Sequence, residues 1–257
     1  MTLSNALRAT VASAVMLMGA QAQAADTVFD LDKMTPAQEA AFGAAVRSYL
    51  LENPQVIMEA VAVLEEREQQ QQAQADLSIV SDNADALFND GYSWVGGNPD
   101  GDYTVVEFLD YRCGYCRKAH PEVSELIKSD GNIRLIVKEF PILGEASIIA
   151  SRFAIATQII GGNDAYKAVS DALMTLDGNP NEATLKRLAK TFGLDADAIL
   201  SEMSSEEVTR RIAETRALAQ RMQISGTPSF VFGDQMVRGY APLPTMQNIV
   251  AQGRAAN

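Results

Sequence analysis

Apolar and polar positions follow two different periods along the second two thirds of this chain. Val105-Val106-Glu107-Phe108-Leu109 is a short, nearly unbroken apolar run, which predicts a buried strand. A helical spacing starts at Gly114 and runs toward Lys128. Residues 133–140 predict a second strand, stopped at Pro141. Helical spacings then recur over 146–158, 166–174, 182–192 and 206–222, divided by turn clusters at Gly161-Gly162-Asn163, Asp177-Gly178-Asn179-Pro180 and Gly193. Strand patterns return at 229–232 and 235–237 around Gly233-Asp234, and a last helix spans 243–252. The order is strand–helix–strand, a helical block at about 143–223, then strand–strand–helix, which predicts an α/β fold with a helical insertion.

Residues 25–90 read differently. Thr35-Pro36 opens a helix with proline in its first turn, and Phe42, Val46 and Tyr49 fall at helical spacing. Asn53-Pro54 caps a second helix through Val56, Ile57, Met58, Val61, Val63 and Leu64. That stretch is apolar nearly all round, so it is expected to be buried on all sides. The tract 65–72 is wholly polar, a solvated helix or linker. Some 40 residues of helix seldom build a core alone, so the apolar head packs on its own chain or on copies of itself. The polar neck favours the copies. We therefore expect an α-helical oligomerisation arm and linker at 25–90 ahead of a catalytic domain at 91–257.

The first 24 residues carry one charge, Arg8, then an apolar run at 9–20 too short to span a bilayer, then Ala22-Gln23-Ala24. This is the pattern of a secretory signal with its cleavage site. Export to a compartment where disulfides form is the expectation. The formal net charge is −12, and removal of Arg8 makes it more negative. An acidic surface argues against nucleic acid and anionic membranes as partners.

Chemistry concentrates at the only two cysteines, Cys113-Gly114-Tyr115-Cys116, where the first strand runs into its helix. Two intervening residues let the thiols close a small disulfide and open it again. A helix N-terminus offers unpaired N–H groups and the positive end of the dipole, a setting that favours a thiolate. Cys113 is thus the candidate nucleophile and Cys116 the resolving thiol. Three plainer readings compete. A structural disulfide across so short a loop removes little unfolded-state entropy. A structural zinc site wants four ligands, and the chain offers two cysteines and His120. Two inert buried thiols are the third. The strand–CxxC–helix placement follows the thioredoxin-like redox pattern.

Glu107 lies six residues before Cys113, inside an apolar strand where a carboxyl has few structural excuses, and Lys138 on the next strand is either its partner or an ordinary exposed strand lysine. Arg112, Arg117 and Lys118 read either as solvated charges or as cations that help the thiolate. His120 reads as a helix-surface residue. The methionines sit at apolar positions and read as core. If Cu(I) binds, the soft thiolates of Cys113 and Cys116 are the site. Gly226-Thr227-Pro228 precedes a strand and predicts a sharp turn, and these residues leave the isomer of the proline bond open.

From Tyr92 to Ala256 the chain resembles the DsbA-like class of thioredoxin-fold disulfide oxidoreductases. The resemblance rests on Val106-Glu107-Phe108, Cys113-Gly114-Tyr115-Cys116, Phe140-Pro141-Ile142 and Gly226-Thr227-Pro228. Arg47-Ser48-Tyr49-Leu50-Leu51-Glu52-Asn53-Pro54 with Met58-Glu59-Ala60 is similar to the arm of the ScsC, or suppressor of copper sensitivity, group. The resemblance implies that Pro228 is cis beside the cysteines and that Thr227 pairs with substrate through its backbone, with Gly114 and Tyr115 also touching substrate. It implies that Glu107 moves the proton of the resolving thiol. It further implies a periplasmic disulfide isomerase, trimerised by its arm, that needs no metal or organic cofactor beyond the Cys113–Cys116 disulfide. Its partners would be misoxidised or reduced secreted proteins and a membrane thiol reductase. A monomeric dithiol oxidase and a Cu(I)-binding copper-tolerance protein are the alternatives. DsbA itself has Pro-His between its cysteines where this chain has Gly114-Tyr115, which speaks for an enzyme that spends time reduced.

Overall fold

The structure is a computed structural model describing residues 33–256, so the signal read over 1–24 lies outside the described residues. The chain divides into two compact units at Val61/Ala62. In the first, α1 (Pro36–Glu52) begins with a reciprocal cap: the Thr35 hydroxyl accepts from Gln38 N, and the Gln38 side chain accepts from Thr35 N at 2.9 Å. Helix α2 (Gln55–Asp82) comes after Asn53-Pro54, and the polar tract 65–72 is part of it. Ile57, Met58, Val63 and Leu64 are exposed in the single chain, so the burial read for this stretch is not met within it; Tyr49 and Leu51 of α1 are exposed too.

The second unit continues with α3 (Ala84–Phe88), β1 (Trp94–Gly97), β2 (Tyr103–Leu109), α4 (Gly114–Asp130) and β3 (Ile133–Glu139). The inserted block is α5 (Glu145–Met174), α6 (Glu182–Thr191), α7 (Ala196–Glu202) and α8 (Glu206–Arg221). Strands β4 (Ser229–Phe232) and β5 (Gln235–Arg238) and helix α9 (Leu243–Ala256) close the chain. The helices read at 146–158 and 166–174 lie within α5 as two helices broken by a kink at Gly162, whose φ of 81° and ψ of −174° are non-helical and open to glycine. Strand β1 and helix α7 went unread, because Trp-Val-Gly-Gly and a seven-residue helix carry little periodicity.

The sheet order is β1-β3-β2-β4-β5, with β2 and β3 parallel and the other pairs antiparallel. Together with the helices this is the DsbA-like thioredoxin fold. Side chains alternate across the sheet with period two. Register pairs Val105 with Leu135, Glu107 with Val137 and Leu109 with Glu139, so these six share a face. That face packs on Cys116, Ala119 and Val123 of α4 and on Phe153 and Ala154 of α5. The opposite face carries Val106, Phe108, Ile136 and Val231 against Val80, Leu87, Leu218 and Met222. Val80 and Leu87 come from the stretch that composition assigned to a linker ending near 90; their burial makes residues 76–90 part of the second unit's core. Among the described residues, no helix is long and apolar enough to cross a membrane.

Candidate active site

Strand β2 delivers the chain to a tight turn at Asp110, and the Asp110 carboxylate and carbonyl organise the cysteine turn. Its Oδ1 accepts from Arg112 N at 2.8 Å, and its Oδ2 accepts from Ile142 N at 2.8 Å and Leu143 N at 3.1 Å. Its carbonyl accepts from Cys113 N at 3.0 Å. One buried carboxylate thus joins the cysteine turn to the 140–143 turn after β3. Cys113 then caps α4 in extended backbone (φ −76°, ψ 119°). It keeps 8% exposure while Cys116, one turn on, keeps 0%. Both are free thiols. Burial pushes the Cys116 thiol well up, and the neighbouring Glu107 and Cys113 push the same way.

The 227–228 turn meets this helix start. The Thr227–Pro228 bond is cis, and Cys113 Sγ donates to Thr227 O at 3.1 Å. Ser229 Oγ donates to Gly226 O at 2.8 Å, and Gly239 N donates to Pro228 O at 2.9 Å, which ties the turn to both sides. Outside the thiols the surface is apolar: Tyr115 is 62% exposed, with Leu143 and Ile142 also exposed. The Tyr115 ring lies 6.2 Å from that of Tyr240, and Lys118 Nζ sits 4.1 Å over the Tyr240 ring. A Cβ on Gly114 would meet open space, so the helix start is open to an incoming chain.

Glu107 is 2% exposed, and its Oε1 has no hydrogen-bond partner among the described residues. Burial raises its pKa to about 8, with the nearby Glu139 adding. The expected pairing with Lys138 is wrong. Lys138 is opposite Phe108 in the register and so points to the other face, where its Nζ donates to Asp90 Oδ2 at 2.6 Å and Ala86 O at 2.9 Å. It is 0% exposed, so it is not a surface lysine either.

Glu139 takes the place on the Glu107 face, and sequence reasoning missed it. Its Oε1 accepts from Tyr111 Oη and Tyr166 Oη, both at 2.6 Å, and its Oε2 has no hydrogen-bond partner among the described residues. Burial raises its pKa to about 7 against the pull of the two phenols. Strand alternation alone places residue 139, not 138, on the face of 107, once the strands are known to be parallel and in this register.

The basic residues near the motif are fastened to the protein. Arg112 Nη1 donates to Gly178 O at 2.7 Å, and Arg117 donates to Tyr111 O at 2.8 Å and Leu176 O at 2.9 Å. His120 Nε2 lies 2.9 Å from Asp171 Oδ1. Met174, Met222, Met236 and Met246 are buried and Met58 is exposed.

Comparison with known proteins agrees with this geometry. The family described as "DSBA-like thioredoxin domain" matches residues 104–251, and "Copper resistance protein ScsC N-terminal domain" matches 38–71. A thioredoxin-like oxidoreductase from Silicibacter pomeroyi DSS-3 is 44% identical, with a TM-score of 0.63 over 67% of this chain and 98% of that one. Proteus mirabilis ScsC in a transitional conformation is 25% identical, with a TM-score of 0.64 over 87% of this chain and all of that one (100%). The Na(+)/H(+) antiporter NhaA 1 of Salinispora arenicola is 32% identical over 136 residues, 53% of this chain. The chain spans about a fifth to a quarter of the length of the curated relatives it matches (21–25%).

Proposed function

The chain belongs to the DSBA-like thioredoxin domain family, with a ScsC N-terminal domain ahead of it, and from that premise we propose that it is an exported, oligomeric disulfide isomerase working through Cys113 and Cys116. The observation that carries the reading is the thiol pair at the start of α4 with Cys113 Sγ on the Thr227 carbonyl. The Cys113 thiolate attacks a mispaired disulfide of a secreted protein; a mixed disulfide forms, and the other substrate sulfur leaves as a thiolate. A second substrate thiol then displaces Cys113 and forms a new pairing. Alternatively, Cys116 attacks Cys113 and releases reduced substrate, and a membrane thiol reductase returns the pair to the dithiol form. The backbone of Thr227, next to cis-Pro228, would hold the substrate as an added strand, with Gly114 and Tyr115 against it. No metal or organic cofactor enters these steps.

The exposed apolar side chains of residues 49–64 support oligomerisation through the arm. The test pairs light scattering for mass with refolding of scrambled ribonuclease on one sample of the protein lacking residues 1–24. An oligomer that reactivates ribonuclease supports the reading. A monomer that only oxidises reduced ribonuclease points to a dithiol oxidase instead. Tight Cu(I) binding that is lost in the Cys113→Ser/Cys116→Ser variant, without turnover, would indicate a copper-binding protein.

A further inference from the structure

The resolving step needs a proton to leave Cys116, and the molecule holds more than one group to receive it. Glu107 and Glu139 lie on one face of adjacent parallel strands, each buried, each with one carboxyl oxygen lacking a partner among the described residues. Glu139 extends the site away from the cysteines. It lines a narrow cavity of about 10 Å³ together with Tyr92, Gln158, Tyr166, Arg211 and Thr215, room on the scale of one water. A structural account of Glu139 has to explain why a carboxyl, rather than an apolar side chain, is enclosed in a core of this kind.

We propose that Glu139 is a positioning residue for thiol–disulfide exchange: its carboxyl, held by Tyr111 and Tyr166, shares with Glu107 the proton withdrawn from Cys116 and leads it toward the cavity. This rests on the oxidoreductase reading of the cysteines. In the step, Cys116 Sγ gives its proton to Glu107. The electron pair left on Cys116 Sγ forms the bond to Cys113 Sγ. The bond from Cys113 Sγ to the substrate sulfur breaks, its pair leaves on the substrate sulfur, and that sulfur takes a proton from solvent. The proton on Glu107 passes to Glu139 and out through the cavity, which restores the charge. The ionisable groups facing the pair are Cys113 and Cys116 from α4, Asp110 and Tyr111 from the turn after β2, Tyr166 from α5, Tyr92 before β1 and Arg211 from α8. The charge of Glu139 raises the Glu107 pKa, so the two carboxyls titrate as a coupled pair.

The test measures glutathione release from a preformed mixed disulfide on Cys113 in single turnover across pH, for wild type, Glu107→Gln and Glu139→Gln. Carbon-13 NMR of carboxyl-labelled glutamate runs alongside. Wild type should show two high carboxyl midpoints and a release rate rising toward the upper one. Glu139→Gln should leave one high midpoint and shift the release profile down by about one pH unit, because the neighbouring charge is gone. Tyr166→Phe keeps both carboxyls and removes a donor to ionised Glu139, so the Glu139 midpoint should rise. If Glu139→Gln overlays wild type while Glu107→Gln departs from it, the proposal is overturned and the enzyme reading stands. If release is as fast in Cys116→Ser as in wild type, the enzyme reading itself is lost. Should Glu139→Gln fail to fold, unmoved carboxyl midpoints in Tyr166→Phe overturn the proposal.

Discussion

Cys113 and Cys116 share a helix turn but not an environment. The first caps the helix and keeps 8% exposure, and the second is fully buried one turn on, where the charge of Glu107 helps raise its thiol pKa. Cys116→Ser should therefore accumulate mixed disulfides with substrate, and Cys113→Ser should not; mass spectrometry of non-reduced complexes reads the difference. Equal alkylation rates of both thiols in the wild type would count against the assignment. The cysteines were legible in the sequence because a pair at a strand–helix junction has few other uses. Glu107 was legible because a carboxyl interrupts an apolar run. Glu139 was not, since it sits beside Lys138 and nothing local says which of the two faces the cysteines; the strand register decides that.

At the scale of elements, one buried and one part-exposed ion pair fix the segments around the sheet. Lys138 of β3 reaches Asp90, and Arg238 of β5 holds Asp76 of α2 through two hydrogen bonds of 2.8 Å. Lys138→Met would leave Asp90 enclosed without its cation and should cost about 3–5 kcal/mol in urea unfolding. Adding Asp90→Asn should recover part of that. The Arg238 hydrogen bonds hold the Asp76 carboxyl below its ordinary range, against the cost of burial. A depressed acid contributes its stability above the unfolded pKa and loses it as pH falls through the folded one. Arg238 is a third exposed, so solvent screens the pair, and Arg238→Met should thus cost only about 1 kcal/mol at neutral pH. The gap from wild type should close as pH drops through the acidic range. Most elements were legible from periodicity. The break at Gly162 was too, because the Gly161-Gly162-Asn163 cluster marks it; β1 was not, because Trp-Val-Gly-Gly carries no strand alternation.

For the whole molecule, the arm and the catalytic unit carry different burdens. The second unit has a complete sheet and two cores without the apolar stretch at 49–64. Deleting residues 26–75 should leave a folded, redox-active protein that runs as a monomer in light scattering. Ribonuclease isomerisation should fall, since one site cannot hold a substrate while another works on it. On the oligomeric reading, dithiol oxidation should persist or rise, because partners that an oligomer would shut out gain access. Burial of each large side chain of the arm yields on the order of 1.5–3 kcal/mol, so several copies meeting can offset the cost of association. A full-length mature protein that is already monomeric at micromolar concentration would remove the basis for this.

Lys138 and Glu139 stand side by side on β3 and send opposite charges to opposite cores. Were β3 to pair one residue out of step, every side chain would change face. The ammonium would be driven in among two tyrosines and the thiols, and the carboxylate would be driven against Asp90. Each misplaced ion costs several kcal/mol. An all-apolar strand would tolerate such a slip far better. The charged neighbours therefore act as a proofreading mark on the strand beside the central one, and a chain that must assemble with two reactive sulfurs exposed has little room for a sheet closed in the wrong frame.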